Sequence, residues 1–216
     1  MRVSGILSGT VAALIAAATP ACAGGGFYFG GGLGIESPAN STWRVPALNQ
    51  VGQYDLEQSN TFLFDAGYKM PSGVRLELQG QYGQFDLHNF SLPGIASVLR
   101  GHISQATIYL NTNYDFAVFG GWGGTVGAGL GTNWNDAHGS SQAGLSILTG
   151  SDRAFAWQVM FGVTREIASN IDLSIDYRYQ GLGSTKVTQT GVGDFHFGGI
   201  KSQTVSATAR VYLSPF

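Results

Sequence analysis

The sequence predicts an all-β chain, an eight-stranded antiparallel transmembrane β-barrel built as an up-and-down meander. Three observations carry that expectation. Stretches in which apolar and polar residues alternate recur eight times, and alternation marks a strand with two different faces. The connections between them are by turns short and long, as in barrels with tight turns at one membrane surface and large loops at the other. Charged residues make up only 11% of the 216 positions while 33 are glycine, against about 25% charge in soluble globular domains. A net charge of −2 leaves no basic footprint, which excludes nucleic acid as a partner. Beyond the N-terminus, no run reaches the ~18 apolar residues of a spanning helix.

Residues 1–23 read as a secretory signal. Met1-Arg2 is the positive start, the apolar run 11–18 the hydrophobic region and Ala21-Cys22-Ala23 the small-x-small cleavage pattern. The cut is placed after Ala23, leaving 24–216 as the barrel. The single cysteine, Cys22, leaves with the leader, so no disulfide is expected in the mature chain.

Eight strands are expected, at 27–35, 60–70, 73–88, 102–115, 119–136, 151–167, 171–182 and 200–213. The first brings Phe27 to the short-turn end. The second sets Asp65 and Lys69 on one face and Phe62, Phe64 and Tyr68 among the aromatics. In the third, Val74, Leu76, Leu78 and Tyr82 oppose Arg75, Glu77, Gln79 and Gln81; in the fourth, Ala106, Ile108 and Leu110 oppose Gln105, Thr107, Tyr109 and Asn111. The fifth puts Gly123, Gly127, Gly129 and Gly131 on one face, leaving room for long side chains from other strands. The sixth carries Phe155 and Trp157. In the seventh, Ile171, Leu173, Ile175, Tyr177 and Tyr179 oppose Asp172, Ser174, Asp176, Arg178 and Gln180, and the eighth repeats this with Val205 to Leu213 against Thr204 to Tyr212.

Alternation does not say which face is outside, since a soluble barrel puts the apolar face within. The loop asymmetry and the aromatics gathered toward both strand ends favour the membrane arrangement. Short turns are expected at Met70-Pro71-Ser72, Phe116-Ala117-Val118 and Ala168-Ser169-Asn170, and long connections over 36–59, 89–101, 137–150 and 183–199. An even strand number then puts both termini on the short-turn side. The expected location is the cell outer membrane, with periplasmic termini and extracellular long loops.

The stretch Ser174-Ile-Asp-Tyr-Arg-Tyr-Gln-Gly-Leu-Gly183, preceded by Phe155-Ala-Trp-Gln-Val-Met-Phe-Gly162, resembles the opacity-type surface antigens and related OmpA-like eight-stranded barrels, above all their alphaproteobacterial relatives. The resemblance in layout covers 24–216, and Tyr177-Arg178-Tyr179 before a glycine-containing loop is its most family-like feature. It implies a surface role, and it implies that Phe216 together with Tyr212 is the signal read by the outer-membrane assembly machinery. Pro215 and Ser214 depart from the usual pattern of that signal. No cell-wall-binding domain is expected after the barrel.

An eight-stranded barrel is just wide enough for side chains to fill it. Asp65, Lys69, Arg75, Glu77, Asp172, Asp176, Arg178 and Arg210 fall on the polar face with both signs represented, which suits a charge-paired plug because an isolated buried charge is heavily penalised. Function is expected on the loops. There Trp43, Val45, Leu48 and Tyr54, with Arg44, Arg100, Arg153, Lys186 and Lys201 near the rim, are placed to meet host surface molecules, outer-membrane lipids or lipopolysaccharide phosphates.

Three histidines follow an aspartate by two, in Asp86-Leu-His88, Asp136-Ala-His138 and Asp194-Phe-His196. With His102 they make His88, His102, His138 and His196 the candidates for a surface metal or haem site, against the plainer reading of polar residues at strand ends. Ser104 near His102, and Ser140 or Ser141 near His138, come nearest to an activated hydroxyl, but no His-x-Ser-Asn stretch is present and no enzyme is expected. The expected role is a structural or adhesin-like surface barrel with no cofactor. The alternatives are a narrow channel or haem- or metal-binding barrel and, behind these, a lipid A-modifying enzyme.

Overall fold

The structure is a computed structural model that describes residues 25–39, 41–45, 50–92, 95–140, 146–189, 193–197 and 199–213, with side chains for 25–39, 57–86, 102–136, 153–184 and 199–213. The leader and cleavage site expected over 1–23, and Phe216, lie outside the described residues. The strands are β1 (Gly26–Pro38), β2 (Ser41–Val45), β3 (Gln50–Leu56), β4 (Ser59–Lys69), β5 (Val74–Leu92), β6 (Ile95–Phe119), β7 (Trp122–Ser140), β8 (Ser146–Ala168), β9 (Ile171–Leu182), β10 (Thr185–Gln189), β11 (Gly193–Phe197) and β12 (Lys201–Tyr212).

Eight of these close a ring. From β5 the pairing runs through β4, β1, β12, β9, β8, β7 and β6, and β6 returns to β5, every neighbour antiparallel. The seam between β1 and β12 joins the two ends of the barrel, with Tyr28 opposite Tyr212 and Ile35 opposite Val205. Closure satisfies the backbone of each strand from its two neighbours, the condition for crossing hydrocarbon with strands.

Side-chain parity decides what the alternation left open. Asp172, Ser174, Asp176, Arg178 and Gln180 of β9 are buried inside the ring, while Leu173 and Ile175 between them stay exposed. The same holds around the barrel: Phe29, Leu33, Phe64, Leu78, Leu110, Leu130, Phe161 and Val205 all stand outward and exposed. So continuous an apolar exterior suits lipid and not water. Phe27, Tyr68, Phe119 and Trp122 stand outward near the short turns, and Phe62, Tyr82 and Phe155 toward the other end.

Two expectations are corrected. The turn expected at Phe116-Ala117-Val118 lies at Gly120-Gly121, because β6 runs on to Phe119 and pairs it with Trp122. Both turn glycines have positive φ, 57° and 78°, the backbone of a two-residue hairpin that matches strand twist. The long connections are also less loop-like than expected. β5 and β6 remain strand through Leu92 and from Ile95, and β7 and β8 through Ser140 and from Ser146. The first and last connections hold β2, β3, β10 and β11, which join as β10-β11-β2-β3 and continue the sheet from β5.

Candidate functional site

The lumen is built from alternate residues of the eight barrel strands. All eight charges assigned to it from the sequence, Asp65, Lys69, Arg75, Glu77, Asp172, Asp176, Arg178 and Arg210, lie inside and buried. Glu36 and Asp115 join them, giving six carboxylates and four cations among the described residues. Sequence reasoning put Glu36 in a loop and Asp115 at a strand end. Asp115 shares parity with Asn111 and Asn113, and only the misplaced turn hid it.

Its role follows from register. Lys69 and Arg75 are directly opposite on β4 and β5, a like-charge pair that destabilises a sheet. Asp115 reaches both from β6, 3.5 Å from Lys69 Nζ and 3.6 Å from Arg75 Nη2, and accepts a 2.8 Å hydrogen bond from Thr125. A second centre forms around Glu77. Tyr28 Oη donates to it at 2.6 Å and Asn111 Nδ2 at 3.0 Å, and Arg210 Nε lies 4.0 Å away. Gly67 sits between Tyr28 and Glu77 in the ladder, and a Cβ there would collide with the tyrosine ring end. Arg210 also lies 3.5 Å from Asp176, which Arg178 approaches to 3.5 Å and Ser174 holds by hydrogen bond; Arg178 donates to Ser206. Asp65 accepts from Gln79, and Asp172 is opposite Arg210 in register.

Toward the long-loop end, charges give way to amides. Gln180 Nε2 donates to Gln81 Oε1 at 2.8 Å and Gln81 Nε2 returns a bond at 3.4 Å. These residues sit on β9 and β5, strands diametrically opposed in the ring, so this pair crosses the full lumen. Gln158 donates to Gln79 and Asn111, Gln180 to Tyr109, and Gln81 to Glu36. In the sequence Gln79, Gln81 and Gln180 fall on the polar faces of two separate strands and Gln158 is not singled out, and nothing there signals that they meet.

The other candidates divide. Register sets His102 of β6 opposite His138 of β7 and opposite Asp86 of β5, with Ser104 opposite Asp136 one step below. His88 instead pairs with Asp55, and His196 with Arg44 and Lys186, so the four histidines do not form one cluster. Among the described residues no group of three or more potential ligands could hold a metal ion; the side chains of His88, His138 and His196 lie outside them. Of the rim residues, Trp43, Arg44, Val45, Leu48, Tyr54, Arg100 and Lys186 have no described side chain. Arg153 covers the Trp134 ring at 5.0 Å, and Lys201 stands exposed at the start of β12. Tyr212 points into the lumen against Tyr28, ring centroids 5.3 Å apart.

A family model described as the outer membrane protein beta-barrel domain matches residues 9–210. Among solved structures, the chain is similar to Neisserial surface protein A (19% identity, TM-score 0.55, covering 88% of this chain and 99% of that one). It is similar to the outer membrane protein OprG from Pseudomonas aeruginosa (14% identity, TM-score 0.57, 89% and 98%) and to the outer membrane protein AlkL (16% identity, TM-score 0.52, 88% and 92%). At these identities the likeness is one of fold. A comparison with curated proteins finds no match.

Proposed function

The chain belongs to the outer membrane protein β-barrel family, and on that premise we propose that it is a non-catalytic, non-conducting surface barrel whose contacts lie on the long-loop end. The observation that carries the reading is the Gln81–Gln180 amide pair, which spans the lumen between opposed strands above a layer of paired charges. A solute passing through has to break that pair and desolvate next to buried ions. The opposite commitment is visible beyond the rim, where β2, β3, β10 and β11 extend the sheet from β5. Sheet built outside the hydrocarbon does nothing for spanning and supplies a rigid base for surface contacts. The termini are periplasmic and the long loops extracellular in this reading, with assembly machinery, lipopolysaccharide and host surface molecules as partners.

The test is labelling and adherence on intact cells. An epitope inserted within 46–49 is expected to be accessible on intact cells, and one at Ser72 only after permeabilisation. Replacing 41–56 and 185–197 by short Gly-Ser turns is expected to abolish adherence to host-cell monolayers while the barrel still assembles. Reversed labelling, or adherence unchanged by the replacement, contradicts the reading.

The row Asp86–His102–His138 favours a second reading, a divalent metal held at the rim. Zinc titration of the purified barrel is expected to show one site lost in a His102→Ala, His138→Ala variant, and equal binding by both proteins sinks it. The neighbouring Ser104 and Asp136 bear on the enzyme alternative, for which altered lipid A mass on expression is the deciding observation.

A further inference from the structure

The outward face carries one feature that neither lumen nor loops use. Register sets Phe64, Gly31, Ala209, Leu173, Arg165 and Trp122 opposite one another in succession across β4, β1, β12, β9, β8 and β7. Registered partners share a face of the sheet, and strands in such barrels tilt about 35–45°. The row therefore climbs diagonally from the short-turn rim, at Trp122 beside the Gly120-Gly121 turn, into the apolar band at Phe64. Its middle is low, because Gly31 and Ala209 present almost no side chain. Leu33, Phe64, Leu173 and Ile175 stand up around them and border an open groove of about 710 Å³ with Arg165 and Trp122 at its foot.

Charge distinguishes this groove from a chance furrow. Outward-facing charges among the described barrel residues are Asp86, Asp136, Arg153 and Lys201 at the long-loop end and Arg165 at the short-turn end, where its exposed neighbour Glu166 follows the lumen parity opposite Asp172. Arg165 is exposed, lies over the Trp122 ring at 5.2 Å, and forms no ion pair with a described residue. A cation at the edge of hydrocarbon, with an aromatic ring fixing one face and its remaining donors unpaired with any described residue, complements a phosphate that charge-assisted hydrogen bonds can hold. The apolar groove rising from it complements an acyl chain.

We propose that this groove holds one glycerophospholipid, its phosphate on Arg165 and an acyl chain along Leu173, Ala209 and Gly31. The assignment to a phospholipid of the periplasmic leaflet, and not to lipopolysaccharide, rests on the orientation read above. Recognition of the phosphate does not depend on it.

The experiment is native mass spectrometry of the detergent-purified barrel, stripped of lipid and titrated with phosphatidylglycerol or with lipid A. The wild type is expected to retain one phosphatidylglycerol. Arg165→Gln is expected to retain it at least tenfold more weakly, and so are Ala209→Phe and Ala207→Leu, which fill the groove from the same strand. Arg153→Gln, at the opposite rim, is expected to match the wild type. A gel-mobility shift on boiling verifies that each variant is folded. Retention unchanged in Arg165→Gln and in the folded groove-filling variants overturns the proposal. So does equal loss in Arg153→Gln, the absence of retention by the wild type, or stronger retention of lipid A. Because the readout is made in detergent, reversed epitope labelling on cells refutes the orientation separately.

Discussion

Glu77 accepts hydrogen bonds from Tyr28 and Asn111 and faces Arg210, so its removal strands three groups inside the lumen. Breaking a buried pair by deleting one partner costs about 3–5 kcal/mol. Glu77→Ala is expected to lower barrel stability by that order in urea unfolding from lipid vesicles, and Glu77→Gln, which can still accept, by less. An unchanged unfolding midpoint for Glu77→Ala contradicts the network. Asp115 offers a stricter case because it separates Lys69 from Arg75. Asp115→Ala is expected to destabilise, and adding Arg75→Met to recover part of the loss; the double-mutant cycle reads that coupling directly. At this scale the sequence was informative about faces and silent about partners. Parity alone put Arg178 and Arg210 inside, but which carboxylate each meets depends on ring order and strand stagger, which one chain read linearly does not contain. The Asp86–His102–His138 row was hidden for the same reason: the Asp-x-His spacing drew attention to His138, while its opposition to His102 is a property of register.

Glycine placement makes the elements work, and two positions separate its uses. Gly67 leaves space for Tyr28 to reach Glu77, and a Cβ there meets both the tyrosine and the Leu76 carbonyl. Gly31, on the outward face, has only one neighbour at ordinary contact distance. Gly67→Ala is expected to cost about 1–3 kcal/mol, the usual penalty for overpacking, and Gly31→Ala to be close to neutral, both read by urea unfolding. Equal effects at the two sites contradict the assignment. Gly121 belongs to a third class, since its φ of 78° strains any β-branched residue; Gly121→Val is expected to slow barrel assembly in refolding assays. The strand cores were legible because apolar and polar residues alternate cleanly through them. The β6–β7 turn was misplaced although Gly120-Gly121 is a hairpin signal, because Phe119 and Trp122 around it read as the start of a strand and Phe116-Ala117-Val118 as its gap. The strands β2, β3, β10 and β11 were missed because each is only five to seven residues long, too short for a period-2 pattern to stand out from the residues around it.

The whole molecule turns a polar, charge-paired face inward and an apolar one to lipid. Closure leaves no free edge in the barrel, so detergent has no strand from which to begin unzipping it. Unheated samples are therefore expected to migrate differently from boiled ones on a detergent gel. Loop asymmetry and composition made this overall form legible from the sequence, whereas the lumen-spanning amide pair on which the non-conducting reading rests was not. The measurement that bears on it most directly is single-channel recording of the wild-type barrel in a planar lipid bilayer. A folded barrel crossed by Gln81 and Gln180 is expected to give no stepwise conductance above baseline. Reproducible, ion-selective steps from the wild type would show an open path through the lumen and contradict it.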